Sequence, residues 1–356
     1  MNERKNRISM FDLAKGLLIT FIILGHTLSL FFKYWELEDV SIPVYGLLAI
    51  LKFFFYGSIP VFFFIFGYSF REKKVKACIA EQCKYVLVKY LFIAIVVIIG
   101  LVLKDLLKNK DAITTAKSYI ISFVFGICPG EAEFKGIFIH SIGPAWFLLA
   151  MALGSIILNF LFKLEEWLRI ILLITIVAFA TSMEWHYFIP YCIVQTMVCM
   201  AYMYCGFWIK KSKWLLRKIK VTEVIVLVAI ALFTVPRGNI EVSQNVWQLG
   251  MLDFVGSISV GLLLIKLFMF IDDFKVGFLK VFRKIGSNSF DIFMFHSIEY
   301  VVVPWDKISS RITNNSVLGY IIVFIARVFV IVIACWIIKQ IRKIIWKKKY
   351  GTYRNS

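Results

Sequence analysis

About ten apolar runs separated by short connections constrain this chain more than any other feature. They read as spans at about 9–32, 43–70, 85–103, 143–162, 168–183, 187–209, 221–236, 251–271, 287–304 and 317–338. A bilayer core takes about 20 apolar helical residues, so most of these runs are long enough to cross one. Composition agrees. Of the 356 residues 60% are hydrophobic, against about 45–50% apolar residues in a soluble domain. Lone strands cannot satisfy their backbone in hydrocarbon, and runs of this length favour helices. The expectation is an all-α fold, a polytopic membrane helical bundle of about ten transmembrane helices.

The net charge of +19, from 41 Lys+Arg and 22 Asp+Glu, invites a nucleic-acid reading that its distribution opposes. With a cytoplasmic N-terminus, about 28 basic residues collect on one side and about 9 on the other, while Lys15, Lys52, Lys266 and Arg327 fall inside spans. This is the positive-inside pattern. It puts both termini and the 210–220 cluster in the cytoplasm. The connection carrying Glu36, Glu38 and Asp39 and the long connection 104–140 then face outward. Within the latter, Tyr119–Ile127 is too short to cross and reads as interfacial or re-entrant. No repeat or low-complexity linker divides the chain, so residues 1–356 read as one domain, with spans over about 9–338 and a basic cytoplasmic tail at 339–356. Seven cysteines with no CxxC pair and no Cys/His cluster give no disulfide framework and no metal site. Cys192, Cys199, Cys205 and Cys335 lie in apolar runs, where cysteine acts as a small hydrophobe.

The first run carries Asp12, Lys15 and His26 at the edge of hydrocarbon or within it. Each costs about 2.5–3.5 kcal/mol at a helix centre, so three on one helix require a reason. Lys15 and His26 are eleven positions apart, which is about three turns plus 20°; they share a face roughly 16 Å apart along the axis. Asp12 is placed for an i,i+3 ion pair with Lys15. The run imitates a signal peptide but is too long and too polar for one. In the plainer reading, Asp12 and Lys15 anchor the helix at the interface and His26 is a packed, hydrogen-bonded core residue.

Span nine holds a second set. Ser289 and His296 are two turns apart on one face, and Glu299 lies one turn further on. Two histidines projecting into one bundle can share acid–base work; the alternative is a structural Ser–His–Glu ladder between helices. Arg327, in mid-span ten, needs a counter-charge, with Glu299 or Asp291 the nearest by type. That pair is either a structural ion pair or a substrate contact. At the cytoplasmic mouth, Arg71 and Lys74 are one turn apart if the helix continues, and such cations suit a ligand's phosphates. The same run also serves as a topology signal. Gly57 and Pro60 are expected to break span two, which a bilayer tolerates only where the gap is buried or lines a cavity.

Four stretches together resemble the acyltransferase type three family of integral-membrane O-acyltransferases, the fucose O-acetylase-like subgroup above all. They are Asp12-Leu-Ala-Lys15 through Gly25-His26, Pro60 through Tyr68, Gly143-Pro-Ala-Trp146-Phe-Leu148, and Gly286 through His296. They fall in the family's order and span residues 7–338. The first is the most specific: a basic residue, ten residues, then the histidine thought to be catalytic, here Lys15 and His26. Many members have arginine where this chain has Lys15, and serine where it has Phe66. No soluble domain follows the tenth span, unlike in members fused to a second acyl-transferring domain.

The resemblance implies an enzyme that takes acetyl-CoA, or another acyl-CoA, from the cytoplasm as co-substrate, with no permanently bound cofactor. The acyl group would pass to a hydroxyl of a surface polysaccharide or its lipid-linked glycan precursor. In this reading His26 is the general base, with Asp12 and His296 also catalytic. Lys15, Arg71 and Lys74 hold the coenzyme, and Trp146, Glu299 and Arg327 contact substrate. The expected partners are acyl-CoA, the glycan acceptor, membrane lipids and, if transfer is shared, a separate acyltransferase, with no nucleic acid. The expected location is the bacterial cytoplasmic membrane. The rival is a transporter or flippase for a glycan or small anion, which explains intramembrane charges equally well but not the Lys15–His26 spacing.

Overall fold

The computed structural model describes residues 2–31, 42–128, 132–134, 137–182, 189–274, 276–312 and 317–350. Glu36, Glu38 and Asp39 and the last six residues of the tail lie outside them. Among the described residues the chain forms fourteen α-helices and two short antiparallel hairpins, so the fold is all-α. Seven helical stretches are each long and apolar enough to cross a membrane: Ser9–Leu28, Leu48–Ser69, Val75–Leu106, Gly143–Leu161, Pro190–Lys211, Met251–Asp273 and Leu318–Ile344. The chain is a multi-pass membrane protein. The other three expected spans correspond to α7 (Glu166–Ser182), α9 (Val221–Arg237) and α12 (Ser289–Val302), which are 17, 17 and 14 residues long.

Contacts between helix termini define two distinct ends of the bundle. At one end the start of α1 (Asn2–Phe31) meets the end of α2 (Ile42–Ser69), where the rings of Phe11 and Tyr68 lie 5.0 Å apart. The end of α8 (Ile193–Lys211) joins them through Lys210, whose Nζ donates to the Phe70 carbonyl at 3.4 Å. Lys266, near the end of α10 (Met251–Asp273), donates to the carbonyls of Trp214 and Arg217 between α8 and α9. The short helix α11 (Leu279–Ser287) packs on the start of α1. The basic runs are gathered at this end.

The opposite end is tied by different contacts. The helix α3 (Val75–Gln82) continues through a π-helical turn at Cys83–Leu87 into α4 (Val88–Leu106). From there α5 (Ala112–Phe125) folds back against α4. Asp111 caps α5, accepting from the Ile113 and Thr114 amides, and Gly126 ends it with φ of +59°, a conformation glycine adopts without strain. This is the segment expected to be interfacial, and 14 residues are too few to cross a bilayer. Cys128, just beyond it, is bonded to Cys192 at the start of α8. The expectation of no disulfide is therefore corrected. The two cysteines are 64 residues apart in sequence and meet only because α5 and the start of α8 converge.

One further expectation changes. Gly57 and Pro60 do not break span two: α2 is helical from Ile42 to Ser69 with Pro60 inside it. Proline removes one backbone donor, and a helix buried among others absorbs that loss. Gly57 serves packing, since a Cβ there would lie 2.6 Å from Leu264 and 2.8 Å from Val260 on α10. α14 (Val317–Tyr350) continues from span ten into the tail as far as Tyr350.

Candidate active site

At the end away from the basic runs, α1, α12 and α14 bring four ionisable side chains together. His26 on α1 is half-buried, and its neighbour Thr27 is fully buried. His296 and Glu299, one turn apart on α12, and Arg327 on α14 are buried as well. Each sits in an apolar stretch of its helix, and the three helices bring these polar groups together in the interior.

Glu299 is the hub. Its Oε1 accepts from His296 Nδ1 at 2.8 Å, from Arg327 Nη2 at 2.8 Å and from Arg327 Nε at 3.2 Å. Its Oε2 accepts from the indole N–H of Trp305, at the head of the short helix α13 (Trp305–Ile312). Arg327 Nη1 donates to Thr27 Oγ1 at 3.2 Å, which ties α14 to the residue beside His26. A buried carboxylate with this many donors is matched rather than orphaned. Of the two partners proposed for Arg327, Glu299 is the one found. Asp291 lies at the other end of α12 and pairs with Arg342 at 2.8 Å.

The carboxylate also orients the histidine. An ionised carboxylate only accepts, so His296 donates to it from Nδ1. Its Nε2 is buried and has no hydrogen-bond partner among the described residues. The neighbouring ring is His26, with centroids 5.3 Å apart. Tyr300 closes the group, its ring 4.9 Å from His26 and 6.1 Å from His296. Tyr300 also lines a cavity of about 350 Å³ whose wall includes Trp305 and Arg327.

The remaining expected site residues lie elsewhere. Asp12 pairs with Lys15 at 2.7 Å near the start of α1, both side chains about a quarter exposed. Fourteen residues, roughly 21 Å of helix, separate Asp12 from His26, so Asp12 is not brought to the histidines. Arg71 and Lys74 are exposed in the connection between α2 and α3. They are not one helical turn apart, because α2 ends at Ser69 and Lys74 has φ −57° and ψ 137°. Asn159 of α6 (Trp146–Leu161) clamps that connection, accepting from the Lys73 amide and donating to its carbonyl. Trp146 is buried in the apolar core and packs edge-on against Phe147, whose ring in turn meets Phe293 of α12.

Thr27, Tyr300 and Trp305 were not found by sequence reasoning. Thr27 and Tyr300 adjoin His26 and Glu299 in sequence and could have been flagged for that. Trp305 follows Pro304, where a helix must stop, but nothing local indicates that its indole turns back to Glu299.

The arrangement holds two imidazoles in contact, one of them oriented by a carboxylate, which is acid–base machinery without a visible purpose until the chain is compared with others. The family model described as an acyltransferase domain matches residues 8–339, nearly the whole chain. No curated protein and no solved structure matches it at a significant level. This polytopic helical protein belongs to the acyltransferase 3 family and is a membrane acyltransferase.

Proposed function

We propose that the protein moves a short acyl group, acetyl above all, from acyl-CoA across the bacterial cytoplasmic membrane to a hydroxyl of a surface glycan or its lipid-linked precursor. In this reading α7, α9 and α12 complete ten spans, both termini are cytoplasmic, and the basic end of the bundle is the donor side. Cys128 and Cys192 then face the outside, the compartment in which disulfides persist. Coenzyme phosphates meet Lys15, Arg71 and Lys74, and the pantetheine arm extends along α1 toward His26, roughly 16 Å from Lys15.

The observation that carries the reading is the contact between His26 and the His296–Glu299 pair beside a cavity at the far end. His26 is half-buried whereas His296 is sealed, so His26 is the histidine a substrate reaches. It takes the proton from the acceptor hydroxyl as that oxygen attacks the thioester carbonyl. The C–S bond breaks, and the coenzyme thiolate leaves and recovers the proton from the imidazolium. General-base assistance of this kind contributes about 10²–10⁴-fold. His296 does not touch substrate; Glu299 orients it through Nδ1, its ring lies beside His26 to stabilise the imidazolium, and Arg327 holds Glu299 in place. The acetyl group, the coenzyme and the glycan acceptor come from the resemblance, and the side-chain geometry is compatible with them.

The test is purified protein in sealed vesicles with labelled acetyl-CoA outside or inside and a glycan acceptor in the opposite compartment. Thioester consumption coupled to label on the acceptor is the expected result. Acceptor translocation without thioester loss would instead make the chain a transporter.

A further inference from the structure

The cavity beside Tyr300 has a charge pattern that the transfer chemistry does not require. Arg327 is already matched by Glu299, and the rest of the lining holds Lys104, Lys108 and Lys307 against the one carboxylate Asp306. Lys104 lies in the last turn of α4 and Lys108 in the turn just beyond it, and two like charges lining one small cavity repel. Asp105, the acidic residue between them, turns to α5, where its Oδ2 accepts from Thr115 Oγ1 at 2.6 Å. Lys104 Nζ lies 3.4 Å from the Val302 carbonyl, which holds it over the end of α12.

Position and shape add to charge. Tyr300 forms part of the wall and is itself 37% exposed, which puts an aromatic side chain within reach of a sugar in the cavity. The same ring lies 4.9 Å from His26. About 350 Å³ lies at the lower end of the range for small-molecule sites, and suits one sugar unit with a charged substituent. The positive-inside rule accounts for cations at the donor end of the bundle. It offers no account of three lysines around a cavity at the opposite end.

We propose that this cavity is the acceptor subsite and that it selects an acceptor sugar bearing an anionic group, a carboxylate or a phosphate, held by Lys104 and Lys108 beside Tyr300. The inference rests on the acyl-transfer reading and deepens it. Charge-assisted contacts orient the sugar so that a hydroxyl is directed past Tyr300 to His26. An anionic sugar also relieves the repulsion between the two lysines, which gives the site a reason to discriminate against neutral ones.

Binding to the purified full-length protein in detergent, followed by calorimetry, tests the proposal independently of turnover. The probes are methyl glucoside, glucuronate and glucose 6-phosphate, which share a ring and differ in charge. At least one of the two anionic probes should bind about tenfold more tightly than the neutral one, with a preference that shrinks as salt is raised. Which anion binds better separates an acidic sugar from a phosphate-bearing one. The Lys104→Gln/Lys108→Gln variant should lose the preference, and Lys104→Arg/Lys108→Arg should keep most of it, which guards against a folding artefact. Equal binding of all three probes, binding of none of them at millimolar concentration, or an anion preference that survives the Gln variant would overturn the proposal. If the anion preference is found but no thioester is consumed, it is the transfer reading that fails.

Discussion

His26 and His296 meet ring to ring, 5.3 Å between centroids, although one belongs to the first helix and the other to the twelfth. The contact has a consequence for proton transfer. His296 is fixed by Glu299 at 2.8 Å and Glu299 by Arg327 at 2.8 Å, so His26 rests against an array whose protonation pattern is set by buried charge.

Glu299→Gln tests that array. The substitution leaves the buried Arg327 guanidinium without its counter-charge, which costs about 3–5 kcal/mol, and lets His296 adopt either tautomer. Thermal unfolding in detergent should shift down markedly and acyl transfer should fall. The double variant Glu299→Met/Arg327→Met should recover much of the stability, since apolar pairs replace buried ion pairs well, but none of the activity. A Glu299→Gln protein as stable as wild type would mean that the pair is not buried as described.

A second prediction concerns the frame that holds α1. A Cβ at Gly286 would lie 1.7 Å from the Asp12 carbonyl oxygen, and one at Gly16 would lie 1.9 Å from the Phe282 carbonyl oxygen. Backbone cannot yield as a side-chain end can, so Gly286→Ala should cost at least about 1–3 kcal/mol and reduce the yield of folded protein. Gly46→Ala, where nothing lies within 4 Å among the described residues, should be silent. Similar unfolding temperatures for the two variants would contradict the α1–α11 packing.

Much of this frame was legible in the sequence, and the reasons differ from one element to the next. The apolar runs that become α1, α2, α4, α6, α8, α10 and α14 are visible because hydrocarbon imposes length and composition together. The Lys15–His26 spacing and the His296–Glu299 step are periodic features of single helices, so they too could be read. What could not be read is whatever depends on two distant segments meeting. Arg327 and Thr27 are 300 residues apart, and Trp305 reaches Glu299 only because the chain reverses after Pro304. The Cys128–Cys192 bond depends on where α5 ends. Pro60 misled for another reason: proline breaks an isolated helix, whereas packing against α8 and α10 sustains α2 through it.

Sidedness can be measured directly. A cysteine introduced at Lys110 should react with a membrane-impermeant maleimide from outside, and one at Lys218 only from inside. Both positions are exposed. Denatured without reductant, the unaltered protein should present five free thiols, those of Cys78, Cys83, Cys199, Cys205 and Cys335, and seven after reduction. Labelling of Lys110→Cys and Lys218→Cys from the same side would end the ten-span topology.

Donor handling predicts a kinetic split. Neutralising Arg71 and Lys74 together should raise KM for acetyl-CoA several-fold and change kcat little, because phosphate contacts far from the thioester are equally strong in ground and transition states. Lys15→Ala should impair the reaction and Lys15→Arg should restore part of it. A fall in kcat alone for the Arg71/Lys74 pair would remove those residues from coenzyme binding.

The most direct measurement compares His26→Gln with His26→Ala at saturating acetyl-CoA, in protein shown to be folded by gel filtration and thermal unfolding. Glutamine keeps a hydrogen-bonding group against His296 but cannot accept a proton near neutral pH. If His26 is the base, both variants should lose acyl transfer by about 10²-fold or more, while binding acetyl-CoA as wild type does. Near-normal turnover by a well-folded His26→Gln protein would contradict the account, because a group that only packs or donates a hydrogen bond would then suffice at that position.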